Sequence, residues 1–156
     1  VIACNTAHYF YDDVVKHTKV KIIHMIEETA KFLNKTYPDS KEFLLLSTKG
    51  TYKSEIYQKA FKKNGLKVLE PSLSDKDVIM DWIYKIKASN FHISRGEYKS
   101  LVLKYIEFGD APVILGCTEL SLLPNLIHLR KEQYVNPTLV LAQYCVELAK
   151  KEKARS

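Results

Sequence analysis

Residues 43–69 read FLLLSTKGTYKSEIYQKAFKKNGLKVL. Phe43-Leu44-Leu45-Leu46-Ser47 is an apolar run with the length of a buried strand, because a strand covered on both faces needs no polar alternation. Tyr52 to Asn64 has a helical period, with Lys59, Lys62 and Lys63 on a solvated face. Asn64-Gly65 is a turn signal, and Leu66 to Leu69 is a second short strand-like run. Strand, helix and strand in succession predict a parallel sheet with helices on both faces.

The same alternation continues outward. Strand-like runs stand at Val1 to Cys4, Val20 to Met25 and Pro112 to Gly116. Helical periods cover Tyr9 to Lys16, Ile26 to Asn34, Asp75 to Lys87, Ser94 to Phe108 and Pro137 to Lys153. Pro38-Asp39-Ser40 ends one helix, and Gly109-Asp110-Ala111-Pro112 leads into the last long strand. Asn136-Pro137-Thr138 reads as an N-cap followed by proline at the first helical position. The three strands between Phe43 and Gly116 make a nearly complete α/β lobe. Those at Val1 and Val20 would leave a sheet face and an edge open, so further N-terminal strands are expected to complete a first lobe.

With 156 residues, 46% of them apolar, the chain has enough material for one ordinary domain or two small lobes. No run approaches the roughly 20 apolar residues of a membrane span. The net charge of +6 comes from lysines interleaved with glutamates at helical spacing, as in Lys150-Lys151-Glu152-Lys153, which points to solvated helix faces and not to a nucleic-acid surface. The 3 cysteines include no Cys-x-x-Cys, so neither a zinc site nor a disulfide framework is expected, and a reducing cytoplasm is the default setting. The opening Val1-Ile2-Ala3-Cys4 resembles neither a natural start nor a signal peptide.

One segment echoes another. Val1-Ile2-Ala3-Cys4-Asn5-Thr6 and Val113-Ile114-Leu115-Gly116-Cys117-Thr118 are both apolar runs that end in a small residue, a cysteine and polar residues. Each cysteine would fall at the C-terminal end of a strand, where open α/β sheets collect ligands. Backbone N–H groups and a helix N-terminus at such a turn lower a thiol pKa and make a usable base. Two cysteines on opposite walls of a cleft can invert a stereocentre, one removing a proton as thiolate while the other delivers a proton as thiol. A cysteine at a buried strand end is by itself more often a small hydrophobe. Cys145, in the stripe of the last helix with Leu141 and Leu148, reads as core.

Cys4-Asn5-Thr6-Ala7-His8 and Gly116-Cys117-Thr118-Glu119-Leu120 resemble the two signature segments of the cofactor-independent aspartate/glutamate racemase superfamily. The likeness extends to Met25-Ile26-Glu27-Glu28-Thr29-Ala30, to Ser47-Thr48-Lys49-Gly50-Thr51 and to Asn136-Pro137-Thr138. It implies two pseudo-symmetric α/β lobes, each a small parallel sheet flanked by helices. Residues 26–131 would form the second lobe, and residues 1–25 with 132–156 what is present of an incomplete first one. Cys4 and Cys117 would be the acid/base thiols, and Asn5, Thr6, Thr48, Gly50, Thr51, Lys87, Thr118 and Glu119 would bind substrate. No metal and no cofactor is implied. The partner would be a small dicarboxylic amino acid, in a cytoplasmic homodimer of the full-length chain. Glu119 is similar to the aspartate branch, where the glutamate branch usually carries histidine.

Lys87 also has the ordinary reading of a surface lysine at a helix C-terminus. His8 is expected to cap or orient the first site, and His24, within an apolar run, to be structural. The glycine-rich turn and the arginine that open the family's first lobe have no counterpart here, so the fragment alone is expected to turn over little. Glutamate or broad-specificity racemisation, or a cleft without chemistry, are the competing expectations. A thiol hydrolase would need His8 as its base.

Overall fold

The computed structural model describes residues 1–107 and 111–154. Strands β1 (Glu42–Leu46), β2 (Lys67–Leu69), β3 (Val113–Leu115) and β4 (Tyr134–Val135) form one sheet in the order β2-β1-β3-β4. Every pairing is parallel, with Phe43 beside Val68, Leu45 beside Ile114 and Ile114 beside Val135. The α/β fold read from residues 43–69 is the one observed.

Period-2 alternation divides the sheet between two cores. Leu44, Leu46, Val113 and Leu115 point to α5 (Leu73–Lys87) and α6 (Arg95–Val102), where Ile79, Trp82, Ile83 and Tyr98 are buried. Phe43, Leu45, Ile114 and Val135 point to α2 (Met25–Thr36), α4 (Ile56–Lys63) and α8 (Pro137–Lys153), against Ile26, Leu33, Phe61 and Val140. Both faces are covered, which is why these strands tolerate unbroken apolar runs. Short helix α1 (Tyr11–Lys16) precedes these elements, and short helices α3 (Lys49–Ser54) and α7 (Leu123–Leu126) lie between them. No helix among the described residues is long and apolar enough to cross a membrane.

Several boundaries differ from the sequence reading. Val1 to Cys4 and Val20 to Met25 are not strands: among the described residues no neighbouring strand pairs with them, and Val20 is 74% exposed. The helix expected over Tyr52 to Asn64 breaks at Glu55, whose φ of 55° ends α3 and opens α4. Its neighbour beginning at Ser94 stops at Val102, and its expected end at Phe108 lies outside the described residues, as does the Gly109-Asp110 turn. The helix expected over Tyr9 to Lys16 starts instead at Tyr11, because Thr6–Phe10 forms a 3-10 turn before α1. β4 was not foreseen. Tyr134 and Val135, grouped from sequence with the first lobe, extend this sheet, although α8 does start on the Asn136 cap. Cys145 is half-buried and so not core.

His24 is the N-cap of α2 and lies outside any strand; its Nδ1 accepts the Glu27 N–H at 3.3 Å. His8 reinforces the same helix end, its Nε2 accepting the Met25 N–H at 3.1 Å. Both rings must be neutral to accept. Burial, then the neighbouring His8, and finally Lys63 hold His24 down to about 4 against the raising influence of Glu27. An unfolded histidine titrates near 6.5, so between those values the unfolded chain binds more protons. Stability from this cap is therefore full above the unfolded value and is lost as pH falls toward 4. The urea midpoint is expected to drop between about pH 7 and about pH 5, and to drop less in His24→Asn, which keeps a capping acceptor without the titration. An equal drop in both proteins would refute the cap as its source.

Candidate active site

In a parallel sheet all C-terminal strand ends lie along one edge. Here Ser47 and Gly116 leave β1 and β3 side by side, with the Ser47 hydroxyl donating to the Gly116 carbonyl at 2.5 Å and the Gly116 N–H to the Leu46 carbonyl at 2.7 Å. Thr48 then caps α3 by accepting the Thr51 N–H at 3.2 Å. That cap gathers hydroxyls: Thr6 Oγ1 lies 2.8 Å from Thr51 Oγ1 and 3.2 Å from Thr48 Oγ1. At Gly50 a Cβ would stand 3.5 Å from the Thr6 methyl, so the turn and the first cysteine segment are in van der Waals reach.

Asn5 is buried beside this cluster, only 3% exposed. Its Oδ1 accepts the Tyr57 hydroxyl of α4 at 2.5 Å, while its Nδ2 is buried with no hydrogen-bond partner among the described residues. Cys4 itself is exposed; its carbonyl faces His8 Nδ1 at 2.8 Å. With Nε2 accepting from Met25, Nδ1 carries the ring proton and donates to Cys4. Both His8 nitrogens are thus committed to backbone, which removes it as the base of a thiol hydrolase and fits its expected orienting part.

The second cluster surrounds Cys117. Its thiol, 7% exposed, donates to Glu119 Oε2 at 2.8 Å, and the Thr118 hydroxyl donates to the same oxygen at 3.0 Å. Lys87 Nζ, at the end of α5, lies 3.6 Å from the other oxygen, Oε1. Burial first, then the hydrogen bond and charge of Glu119, push the Cys117 thiol up to about 12. Burial would also raise Glu119, but the Cys117 thiol, its own N–H, Thr118 and Lys87 outweigh that and hold it ionised below the usual range. The lowered thiol pKa expected from a strand-to-helix turn is not found at Cys117, because burial and the Glu119 carboxylate, which the following 3-10 turn Glu119–Leu122 brings against the sulfur, both raise it. Among the described residues no group of His, Cys, Asp or Glu is placed to hold a metal ion.

The profile of the Asp/Glu/hydantoin racemase family matches residues 1–145. The chain belongs to this family. Among relatives of the racemase-family chain, the broad-specificity amino-acid racemase RacX of Bacillus subtilis (strain 168) is 30% identical over 84% of it and 55% of the relative. The glutamate racemase of Helicobacter pylori (strain ATCC 700392 / 26695) is 29% identical over 81% of it and 49% of the relative. Among solved structures, an aspartate racemase homologue from Pyrococcus horikoshii OT3 superposes with a TM-score of 0.76 at 27% identity, covering 94% of the racemase-family chain and 64% of that structure. The chain spans about half the length of these two curated racemases.

Tyr57 is the site residue that sequence reasoning missed. A tyrosine in the apolar stripe of a helix reads as core, and the one available signal is that a buried phenol requires a partner. Of the expected site residues, Asn5, Thr6, Thr48, Gly50 and Thr51 come together around α3, and Cys117, Thr118, Glu119 and Lys87 form the other group. Iodoacetamide is expected to modify exposed Cys4 long before Cys117 in the native protein. With a pKa of about 12, Cys117 holds a thiolate fraction on the order of 10⁻⁴ near pH 8. Glu119→Gln removes the carboxylate and should speed Cys117 alkylation, read by peptide mass mapping. Equal rates in the two proteins would exclude Glu119 as the group that holds the thiol proton.

Proposed function

We propose that the complete protein racemises aspartate without a cofactor, the thiols of Cys4 and Cys117 transferring the α-proton. The observation that carries the reading is the Cys117 thiol, buried and held protonated against ionised Glu119 at a strand end. A protonated thiol in that place is the acid of a two-base exchange. As thiolate, Cys4 takes the α-proton and becomes a thiol; Cys117 gives its proton to the opposite face of the carbanion and becomes the thiolate. The reverse reaction exchanges the roles.

Charge that develops next to the substrate carboxylate needs donors that are already in place. Asn5, with its unpartnered Nδ2, and Thr6, Thr48, Thr51 and Thr118 are assigned to the carboxylates, with Gly50 allowing their close approach. Lys87 and Glu119 are assigned to recognise the charged ends of the substrate, exchanging their mutual ion pair for contacts to it. The cleft is assigned to the junction of two lobes, to which residues 1–25 and α8 contribute from the first, in a cytoplasmic homodimer. Relatives named for broad-specificity and glutamate racemisation make substrate range a quantity to measure. Enantiopure aspartate, glutamate and neutral amino acids, incubated in deuterated water, are expected to show aspartate losing rotation fastest, with deuterium at Cα of the product. Faster turnover of another amino acid would shift the substrate assignment. Neither loss of rotation nor deuterium uptake with any of them would end the racemase reading.

A further inference from the structure

We infer that Tyr57 is a positioning residue of this site, its hydroxyl locking the Asn5 side-chain amide so that Nδ2 is presented to the anionic substrate; the inference rests on the proposed racemase reading. The phenol donates to Asn5 Oδ1 at 2.5 Å, across 52 residues of chain. A primary amide has one acceptor end and one donor end, and they differ by a half-turn about the last side-chain bond. Because Tyr57 occupies the acceptor end, the donor end is left over, buried and without a partner among the described residues. Buried N–H groups without partners are rare, and one beside a cluster of threonine hydroxyls is explained by a ligand oxygen that completes it.

Packing alone does not require this hydroxyl. Tyr57 is fully buried among Phe61, Ala60 and the sheet residues of the same core, surroundings that phenylalanine would fill as well. What the hydroxyl adds is a fixed direction. Burial first, then the charge of the nearby Cys117 sulfur and of Tyr52, push the phenol well above its ordinary value, so it stays a proton donor throughout the working pH range. The same side chain thus bonds the residue that follows Cys4 and lies within the field of Cys117. With the hydroxyl deleted, the Asn5 amide is free to turn and offer Oδ1, which repels a carboxylate.

Tyr57→Phe in the complete protein tests this. The KM for aspartate is expected to rise about tenfold with kcat changed less than about threefold, and aspartate binding by titration calorimetry to weaken about equally. Asn5→Ala should do the same, and the double variant should be no worse than Asn5→Ala, since Tyr57 acts through Asn5. Independently of turnover, the Asn5 side-chain N–H₂ resonances should shift and exchange faster with water in Tyr57→Phe. A wild-type KM in Tyr57→Phe, or effects that multiply in the double variant, would overturn the positioning assignment, as would unchanged Asn5 amide resonances. Failure of the wild-type protein to bind or racemise aspartate would instead overturn the substrate reading, with the amide resonances still deciding whether Tyr57 sets the orientation of Asn5.

Discussion

In the complete protein, under the proposed two-thiol mechanism, Cys117→Ala is expected to lower racemisation of either aspartate enantiomer by about 10²–10⁴-fold, the usual worth of one positioned proton-transfer group. The loss is expected to be chemical and not structural, because a single sulfur is removed from a buried cluster that also holds Leu115, Leu120 and Leu123. Serine should restore little, because the hydroxyl is a far weaker acid than the thiol even when Glu119 accepts from it. The two half-reactions separate the roles. In deuterated water, the enantiomer whose proton Cys4 takes should still exchange its α-proton in the variant, while the opposite one exchanges no faster than background. Polarimetry paired with mass spectrometry reads both, and circular dichroism checks the fold. Retention of the full rate by the double Cys4→Ala, Cys117→Ala protein would remove thiols from the mechanism.

The second large effect concerns the residue before that thiol. A Cβ on Gly116 would stand 2.5 Å from Leu45 Cδ1 and 3.2 Å from both the Leu46 carbonyl oxygen and Ser47 Cβ. The Leu45 methyl lies in a filled core and the other two contacts are with the adjacent strand, so no flexible side-chain end can simply swing away. Gly116→Ala is therefore expected to cost about 1–3 kcal/mol, as overpacked sites do. For a chain of this size that is about 2–4 °C of melting temperature per kcal/mol. Relief requires β3 to move from β1, which lengthens the bond from the Ser47 hydroxyl to the Gly116 carbonyl and shifts Cys117 relative to Asn5. Activity should fall together with the melting temperature in the complete protein. An unchanged melting temperature would show that the strand ends are not packed as closely as described.

Much of the fold could be read locally. The runs at Phe43, Leu66 and Pro112 became β1, β2 and β3 because both faces of the sheet are covered, and the cap read at Asn136 opens α8 as its side chain requires. Val1 to Cys4 and Val20 to Met25 have equally strand-like composition and formed none, since a strand needs a partner to satisfy its N–H and C=O groups. The two residues of β4 are too few to carry a periodicity. Nothing in Glu55 announces a left-handed turn, a conformation associated with glycine or asparagine.

At the site, residue types and spacing singled out both cysteine segments, whereas the Thr48 to Thr51 turn and Lys87 were carried over from the resemblance to the racemase superfamily. Local pattern determines which side chains are available at strand ends, because period and capping are properties of a few consecutive residues. What those side chains do to one another was decided by the tertiary structure alone. Burial, with Glu119 folding back onto Cys117, turned an expected low-pKa thiol into a strongly protonated one, and Tyr57 met Asn5 from 52 residues away. Burial and charge act through space, so a proton's affinity for Cys117 depends on neighbours that only the assembled sheet and helices bring within reach.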